Sequence, residues 1–338
     1  MSGVPSQPAT PAALPDLAGI LDPVSRGLAR VEESLGSQAD GRYRLLNELG
    51  THILGSKGKR LRPALVLLSS GQGENPSDDL IKLATVVELL HTATLVHDDI
   101  IDDAEVRRSR STANAKWDDE IAVIFGDFLF ASAFSLISTF QNPIVSRVLS
   151  GVTSDLCKGE LWQLQDRFGR SIPSEERYLS MIRLKTATFL AACCQLGAVV
   201  GGSSEDDSAP FERYGLNLGM AFQIVDDCLD VVGEEGSMGK SLGTDITTGK
   251  LTLPFLRLLE ELSPTERAVL EKDYWARLGD PAFKTTVQDL LKGHRAIDST
   301  YRTAARYVDM ARGEIAETRA PFRAQLLSLA DYFLARKV

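Results

Sequence analysis

Between His91 and Arg110 the sequence reads HTATLVHDDIIDDAEVRRSR, which sets Asp98, Asp99, Asp102 and Asp103 among Leu95, Val96, Ile100 and Ile101. On a helix Asp98 faces Asp102 and Asp99 faces Asp103, and like charges at that spacing repel by about a few tenths of a kcal/mol per pair. A cation would offset the repulsion. Mg²⁺ suits the arrangement, because it takes one or two protein carboxylates and completes its shell with water and phosphate oxygens. The alternative for any charge run is a solvated helix end. Here the helix is apolar where a solvated face is polar, and charges taken out of water need partners.

A second cluster repeats the first. Phe222 to Asp230 reads FQIVDDCLD, so Asp226, Asp227 and Asp230 reproduce the spacing of Asp98, Asp99 and Asp102, again beside apolar Ile224, Val225 and Leu229. One DDxxD arises by chance on many helices. Two near-buried ones can face each other across Mg²⁺ ions and the diphosphate those ions bridge. Phosphate in turn calls for Lys and Arg. Gly58 to Pro63, GKRLRP, sets Lys59, Arg60 and Arg62 at a helix start where Pro63 suits the first turn and free N–H groups favour an anion. Arg107 and Arg108 follow the first motif, Lys185 and Thr186 stand in LKTAT, and Lys240 and Lys250 in GKSLGTDITTGKLTLP. Singly each reads as a solvated surface residue; together they ring the two acidic motifs.

The elements that must carry these groups are helices. Residues 1–15 hold Pro5, Pro8, Pro11 and Pro15 and too little apolar surface to offset ordering entropy, which predicts an unstructured tail. Beyond it, three- and four-residue apolar steps run through 20–35 and 45–54. They continue near 62–70, 78–103, 117–139, 143–167, 174–200, 209–233, 250–261, 264–277, 281–293, 298–318 and 321–336. No alternating strand pattern survives, so the fold class is all-α. No break is polar and long enough for a linker, and one domain over 16–338 is expected.

The 338 residues carry a net charge of −9 with scattered basic side chains, which leaves no nucleic-acid footprint. Cys157, Cys193, Cys194 and Cys228 have no metal-ligand spacing and small or apolar neighbours, as expected of buried thiols in a reducing compartment. No signal sequence is visible. The nearest candidate for a membrane span, Thr186 to Gly202, contains Gln195 and many small residues and reads better as a buried helix. A cytoplasmic protein is expected.

In order, GKRLRP, HTATLVHDDIIDDAEVRR, GDFLFASAF, LKTA, FQIVDDCLD and GKSLGTDITTGKLTLP closely resemble the motifs of the trans-isoprenyl diphosphate synthases, also called polyprenyl synthetases, over about residues 20–338. The resemblance implies a single bundle of long helices around a central cavity, with the two aspartate motifs at its mouth. It implies that Asp98, Asp102 and Asp226 bind Mg²⁺ directly, supported by Asp99, Asp227 and Asp230. Arg107, Lys185, Thr186, Gln223 and Lys240 would hold an allylic diphosphate, with Lys250 close by. Lys59, Arg62, His91 and Arg108 would hold isopentenyl diphosphate. The implied reaction is metal-assisted loss of diphosphate, attack of the isopentenyl double bond on the allylic cation, and proton loss to the departing diphosphate. Homodimers are common in the family.

Product length should follow from what stands ahead of the first motif. Short-chain members commonly carry a bulky aromatic four or five residues before it. Here those positions are Thr94 and Ala93, with Leu90 a further turn away. Five helical residues rise only about 7.5 Å, so a chain that passes Ala93 can reach about C30 to C50. Ser109 departs from the family's usual Gly after the Arg pair, and Lys57 from a common second Gly. A short-chain synthase and a non-catalytic partner subunit are the alternatives. A terpene cyclase leaves GKRLRP without a role, and a metal phosphohydrolase using His91, His97 and Asp98 leaves the second motif without one.

Overall fold

The computed structural model describes residues 16–39, 43–56, 58–107, 109–233 and 243–336. Residues 1–15, Lys57, Arg108 and Lys240 lie outside them. The chain begins with α1 (Leu17–Leu21), a 3₁₀ turn, α2 (Ser25–Gln38), α3 (Arg44–Ile53) and α4 (Leu61–Ser70). Next comes α5 (Asp78–Ile101). Ser77 caps it by accepting from the Leu80 N–H, and Asp78 and Asp79 suit the positive end of the helix dipole.

One departure from all-α follows. The two-residue strands β1 (Val106–Arg107) and β2 (Arg110–Ser111) pair antiparallel, too short a hairpin to leave an alternating pattern. Ser109, in the turn, has φ 60°, the left-handed region where glycine is favoured, so the position suits the family's usual Gly and costs Ser some strain.

After α6 (Ala113–Lys116) come α7 (Asp119–Ile137) and α8 (Pro143–Gly169), the latter capped by Asn142 with Pro143 in its first turn. The helix expected over 174–200 is a broken rod. α9 (Glu175–Ile182) passes through a π-helical turn, Arg183–Ala187, into α10 (Thr188–Val200). The long α11 (Glu205–Val232) carries the second aspartate motif in its final turns. α12 (Thr244–Thr248), α13 (Leu253–Glu261), α14 (Pro264–Ala276), α15 (Pro281–Gly293), α16 (Ala296–Ala316) and α17 (Arg323–Ala335) complete the described chain.

α5 is buried nearly all round, against α4, α7 and α2, and α11 is held between α10 and α16. The apolar side chains of α5 and of α11 up to Ala221 share one core with Phe125 of α7, Leu149 of α8 and Phe333 of α17, while Ile224, Val225 and Leu229 beside the second motif pack with Tyr178, Met181 and Leu253. Burying each such side chain contributes about 1.5–3 kcal/mol, so the two motif-bearing helices are among the most firmly placed elements. A satellite cluster packs α12 to α15 through Ile246, Phe255, Tyr274 and Val287.

Two helices are long and apolar enough to cross a membrane by composition, α5 and α7, rather than the 186–202 segment. In α5 the window is 72% buried, as in a core helix; in α7 it is 33% buried, and Val123, Ile124 and Phe134 are exposed. Cys193, Cys194 and Cys228 are buried thiols as expected, but Cys157 is exposed on α8.

Candidate active site

The first motif lies where α5 ends. Asp102 is the C-cap, its N–H still bonded to the Asp98 carbonyl at 2.9 Å, while Asp103 turns off the helix at φ 51°. Asp98 and Asp102 therefore share a face as expected, and Asp99 and Asp103 do not. Asp99, about 100° round the helix, is buried and accepts from Arg107 Nε at 2.6 Å. Asp102 Oδ2 accepts from Lys250 Nζ at 2.6 Å, 148 residues away in sequence.

Beside Asp98 stand Lys185 and a carboxylate that sequence reasoning missed, Glu160 of α8. Burial, then the charges of Glu160 and Asp102, push the Asp98 carboxyl above its ordinary pKa against the pull of Lys185 and Lys250. Lys185 pairs with Glu160 and donates to Gln163 Oε1 at 2.8 Å. Burial works against its charge, but Asp98 and Glu160 outweigh that and hold its pKa above the usual lysine value.

The π-turn is what delivers Lys185 and Thr186. It is gripped by glycines: a Cβ on Gly159 of α8 would come within 2.8 Å of the Lys185 backbone nitrogen, and one on Gly219 of α11 within 2.6 Å of the Ala187 Cα. π-turns concentrate at functional sites. Here the extra residue brings Lys185 against α8 and Thr186 against α11, where the Thr186 hydroxyl donates to Gln223 Oε1 at 2.8 Å.

In the second motif Asp227 is buried and accepts from Gln223 Nε2 at 2.8 Å and from the Tyr178 hydroxyl at 2.5 Å. Burial and the Asp245 charge push its pKa well up against those two hydrogen bonds. Burial, then Asp227, raises that of Tyr178. Asp230 accepts from the backbone N–H groups of Thr244 (3.2 Å) and Asp245 (3.1 Å). Asp226 pairs with Arg336 at 2.8 Å, and that guanidinium also lies over Phe222.

The two motifs are joined. Asp230 holds the Asp245 N–H, the Asp245 carbonyl accepts from the Lys250 N–H at 2.9 Å, and Lys250 Nζ holds Asp102. Lys250, expected only nearby, is the bridge. Sequence reasoning also missed Gln163, Tyr178, Asp245 and Arg336. Asp245 stands within GKSLGTDITTGKLTLP, and the others have no local sequence signal.

Lys59 is exposed 6.0 Å from the Tyr332 ring, Arg62 lies 5.2 Å over Phe189, and His91 is half-buried on the Asp98 side of α5. His97 points elsewhere, its Nε2 3.2 Å from the Val123 carbonyl of α7, so it does not join His91 and Asp98 in a metal triad. Ala93 and Leu90 are fully buried; Thr94 is half-buried and one turn below Asp98. Five residues rotate the helix by about 140° from Asp98, so Ala93 shares the face of His97, which meets α7 at the Val123 carbonyl.

Two narrow hollows reach the site, one lined by Asp99 and Arg107 and the other by Gln163, Tyr178 and Lys250. A broad depression of about 660 Å³ lined by Arg44, His52, Lys116 and Trp117 contains none of the aspartates. Among the described residues no three His, Cys, Asp or Glu side chains converge as a ready metal site. That fits Mg²⁺, which draws most of its ligands from water and phosphate. Asp102 Oδ1 is buried without a hydrogen-bond partner, an acceptor that a cation would satisfy.

The profile of the Polyprenyl synthetase family matches residues 43–292. Heptaprenyl diphosphate synthase component 2 of Geobacillus stearothermophilus is 38% identical over 291 residues, 85% of this chain and 88% of that relative. A short chain isoprenyl diphosphate synthase of Methanothermobacter thermautotrophicus is 34% identical over 314 residues, 91% and 94% of the two chains. A polyprenyl synthase from Caulobacter crescentus CB15, solved with calcium and isoprenyl diphosphate, superposes with a TM-score of 0.90 at 32% identity, covering 97% of this chain and 100% of that one. Paired aspartate motifs on buried helices, cations drawn in between them and a family match over most of the length agree: the chain belongs to the polyprenyl synthetase family and is a trans-prenyltransferase.

Proposed function

We propose that this enzyme is Mg²⁺-dependent and condenses isopentenyl diphosphate head-to-tail onto an allylic diphosphate, giving a long all-trans polyprenyl diphosphate of about C30 to C50. The observation that carries the reading is the relay from Asp230 through Asp245 and Lys250 to Asp102, which ties the two aspartate motifs into one polar mouth. Asp98, Asp102 and Asp226 would hold Mg²⁺, whose charge stabilises the leaving diphosphate. Lys185, Thr186, Gln223, Arg107 and Lys240 orient the allylic diphosphate. Lys59, Arg62, His91 and Arg108 hold isopentenyl diphosphate. As the C–O bond breaks, its electron pair leaves with the diphosphate, and fixed cations aimed at that oxygen lower the barrier. The isopentenyl π bond then forms the new C–C bond, and a proton passes to the diphosphate. Apolar walls exclude water from the cation.

Small Thr94 and Ala93 support the long product, as does the relative named a heptaprenyl synthase component. The purified chain should extend farnesyl diphosphate past C20 when supplied with Mg²⁺ and isopentenyl diphosphate, with products sized by reversed-phase chromatography. Thr94→Phe, on the Asp98 side, should shorten the product more than Ala93→Phe, at the α7 seam. A wild-type endpoint of C15 or C20 sinks the long-chain reading. The component 2 relative favours a second reading, one subunit of a two-protein synthase, which the same assay detects as no turnover until a partner is added.

The exposed Val123, Ile124 and Phe134 of α7 support a homodimer through this helix. Light scattering should give twice the chain mass, and Ile124→Glu should halve it. A wild-type monomer would refute the assignment.

A further inference from the structure

GKRLRP holds three cations that look interchangeable in the sequence, and the structure sends them in different directions. Lys59 reaches toward Tyr332 of α17 and Arg62 toward Phe189 of α10. Arg60 turns the other way, into α2 and α5, and is 8% exposed. Its Nε donates to Glu32 Oε1 at 2.5 Å and its Nη1 to Glu88 Oε1 at 2.7 Å. Its Nη2 serves Glu32 Oε2 (3.1 Å) and the carbonyls of Leu54 (2.8 Å) and Ser56 (3.2 Å). A guanidinium has five donors in a rigid fork. Here all three nitrogens are engaged inside the protein.

The backbone has a matching peculiarity. Arg60 is the N-cap of α4 and sits at φ 46°, ψ 39°, a left-handed conformation that a non-glycine residue keeps only where its surroundings over-determine it. The Glu32 and Glu88 pairs supply that determination. Because the strained residue is the cap, it fixes the direction from which Lys59 arrives and the turn on which Arg62 stands. Glu88 is 2% exposed and lies on α5 three residues before His91. The anchor therefore stands directly behind Lys59, Arg62 and His91.

We propose that Arg60 is a positioning residue for the isopentenyl diphosphate subsite: by pairing with Glu32 and Glu88 it holds the left-handed cap that aims Lys59 and Arg62 at the diphosphate. This rests on the assignment of Lys59, Arg62 and His91 to that substrate made above.

The test is steady-state kinetics with isopentenyl and farnesyl diphosphates varied independently. Arg60→Gln should raise KM for isopentenyl diphosphate about tenfold while KM for farnesyl diphosphate and kcat move less than about threefold. Arg60→Lys keeps the charge without the fork and should recover little of the loss. Glu88→Gln, which keeps the shape of the partner, should give the same split at smaller size and carries the test if Arg60→Gln does not fold. Equal rises in both KM values, or a lower melting temperature with both KM values intact, overturn the inference. Lys59→Gln and Arg62→Gln separate the two levels. If they leave KM for isopentenyl diphosphate unchanged, the subsite assignment falls and the inference with it. If they raise it while the Arg60 and Glu88 variants do not, only the inference falls.

Discussion

The two aspartate motifs have the same spacing and are neutralised in different ways. In the first, cations do the work: Arg107 on Asp99, Lys250 on Asp102, and Lys185 beside Asp98. In the second, neutral donors do most of it, with Tyr178 and Gln223 on Asp227 and two backbone N–H groups on Asp230. Asp226 pairs with a cation, Arg336 from the far end of the chain. The first jaw is held mainly by ion pairs within the protein; the second is oriented mainly by hydrogen bonds from neutral groups. A metal should therefore be needed more at the second jaw, while the first can share its load among Asp98, Asp102 and Glu160.

The largest expected effect tests that asymmetry. Asp226→Asn and Asp102→Asn should each lower kcat, on the order of a thousandfold or about 4 kcal/mol of transition-state stabilisation. Asp226→Asn should be the worse of the two and should also need more Mg²⁺ for half-maximal activity, because the groups that hold Asp227 and Asp230 are neutral donors. Mg²⁺ titrations of both variants measure this, and equal Mg²⁺ requirements would erase the distinction between the jaws.

Much of this was legible before any coordinates. The motif helices α5 and α11 show in the sequence because apolar steps of three and four residues persist for several turns, and paired DDxxD runs inside such helices have few other uses. What stayed hidden depends on contacts between distant segments. Nothing near Lys250 in sequence says that it meets Asp102, and nothing near Arg336 says that it meets Asp226. The π-turn at Arg183–Ala187 is invisible for the same reason, since it exists only because Gly159 and Gly219 let two other helices close on it. Arg60 reads as a phosphate ligand beside Lys59 and Arg62, and only its left-handed backbone and buried fork reveal a different job.

A smaller effect sharpens the comparison at the neutral clamp. Tyr178→Phe removes the donor to Asp227 Oδ2 without changing the packing of the ring, which is 1% exposed. Leaving a buried acceptor without its partner costs about 1–3 kcal/mol, a fall of several degrees in melting temperature for a chain of this size. Lys250→Gln, at the charged clamp, should cost more stability, because the pair is largely buried, with side chains 16% and 19% exposed, and the change leaves the Asp102 carboxylate without its cation. Activity should follow the same order. Lys250→Gln removes a charge from the mouth and should slow turnover more than Tyr178→Phe, in which Gln223 still holds Asp227. Melting curves without Mg²⁺, set beside kcat for the two variants, measure both orders. If Tyr178→Phe proves both the slower enzyme and the less stable protein, the division between a hydrogen-bonded jaw and an ion-paired jaw is wrong.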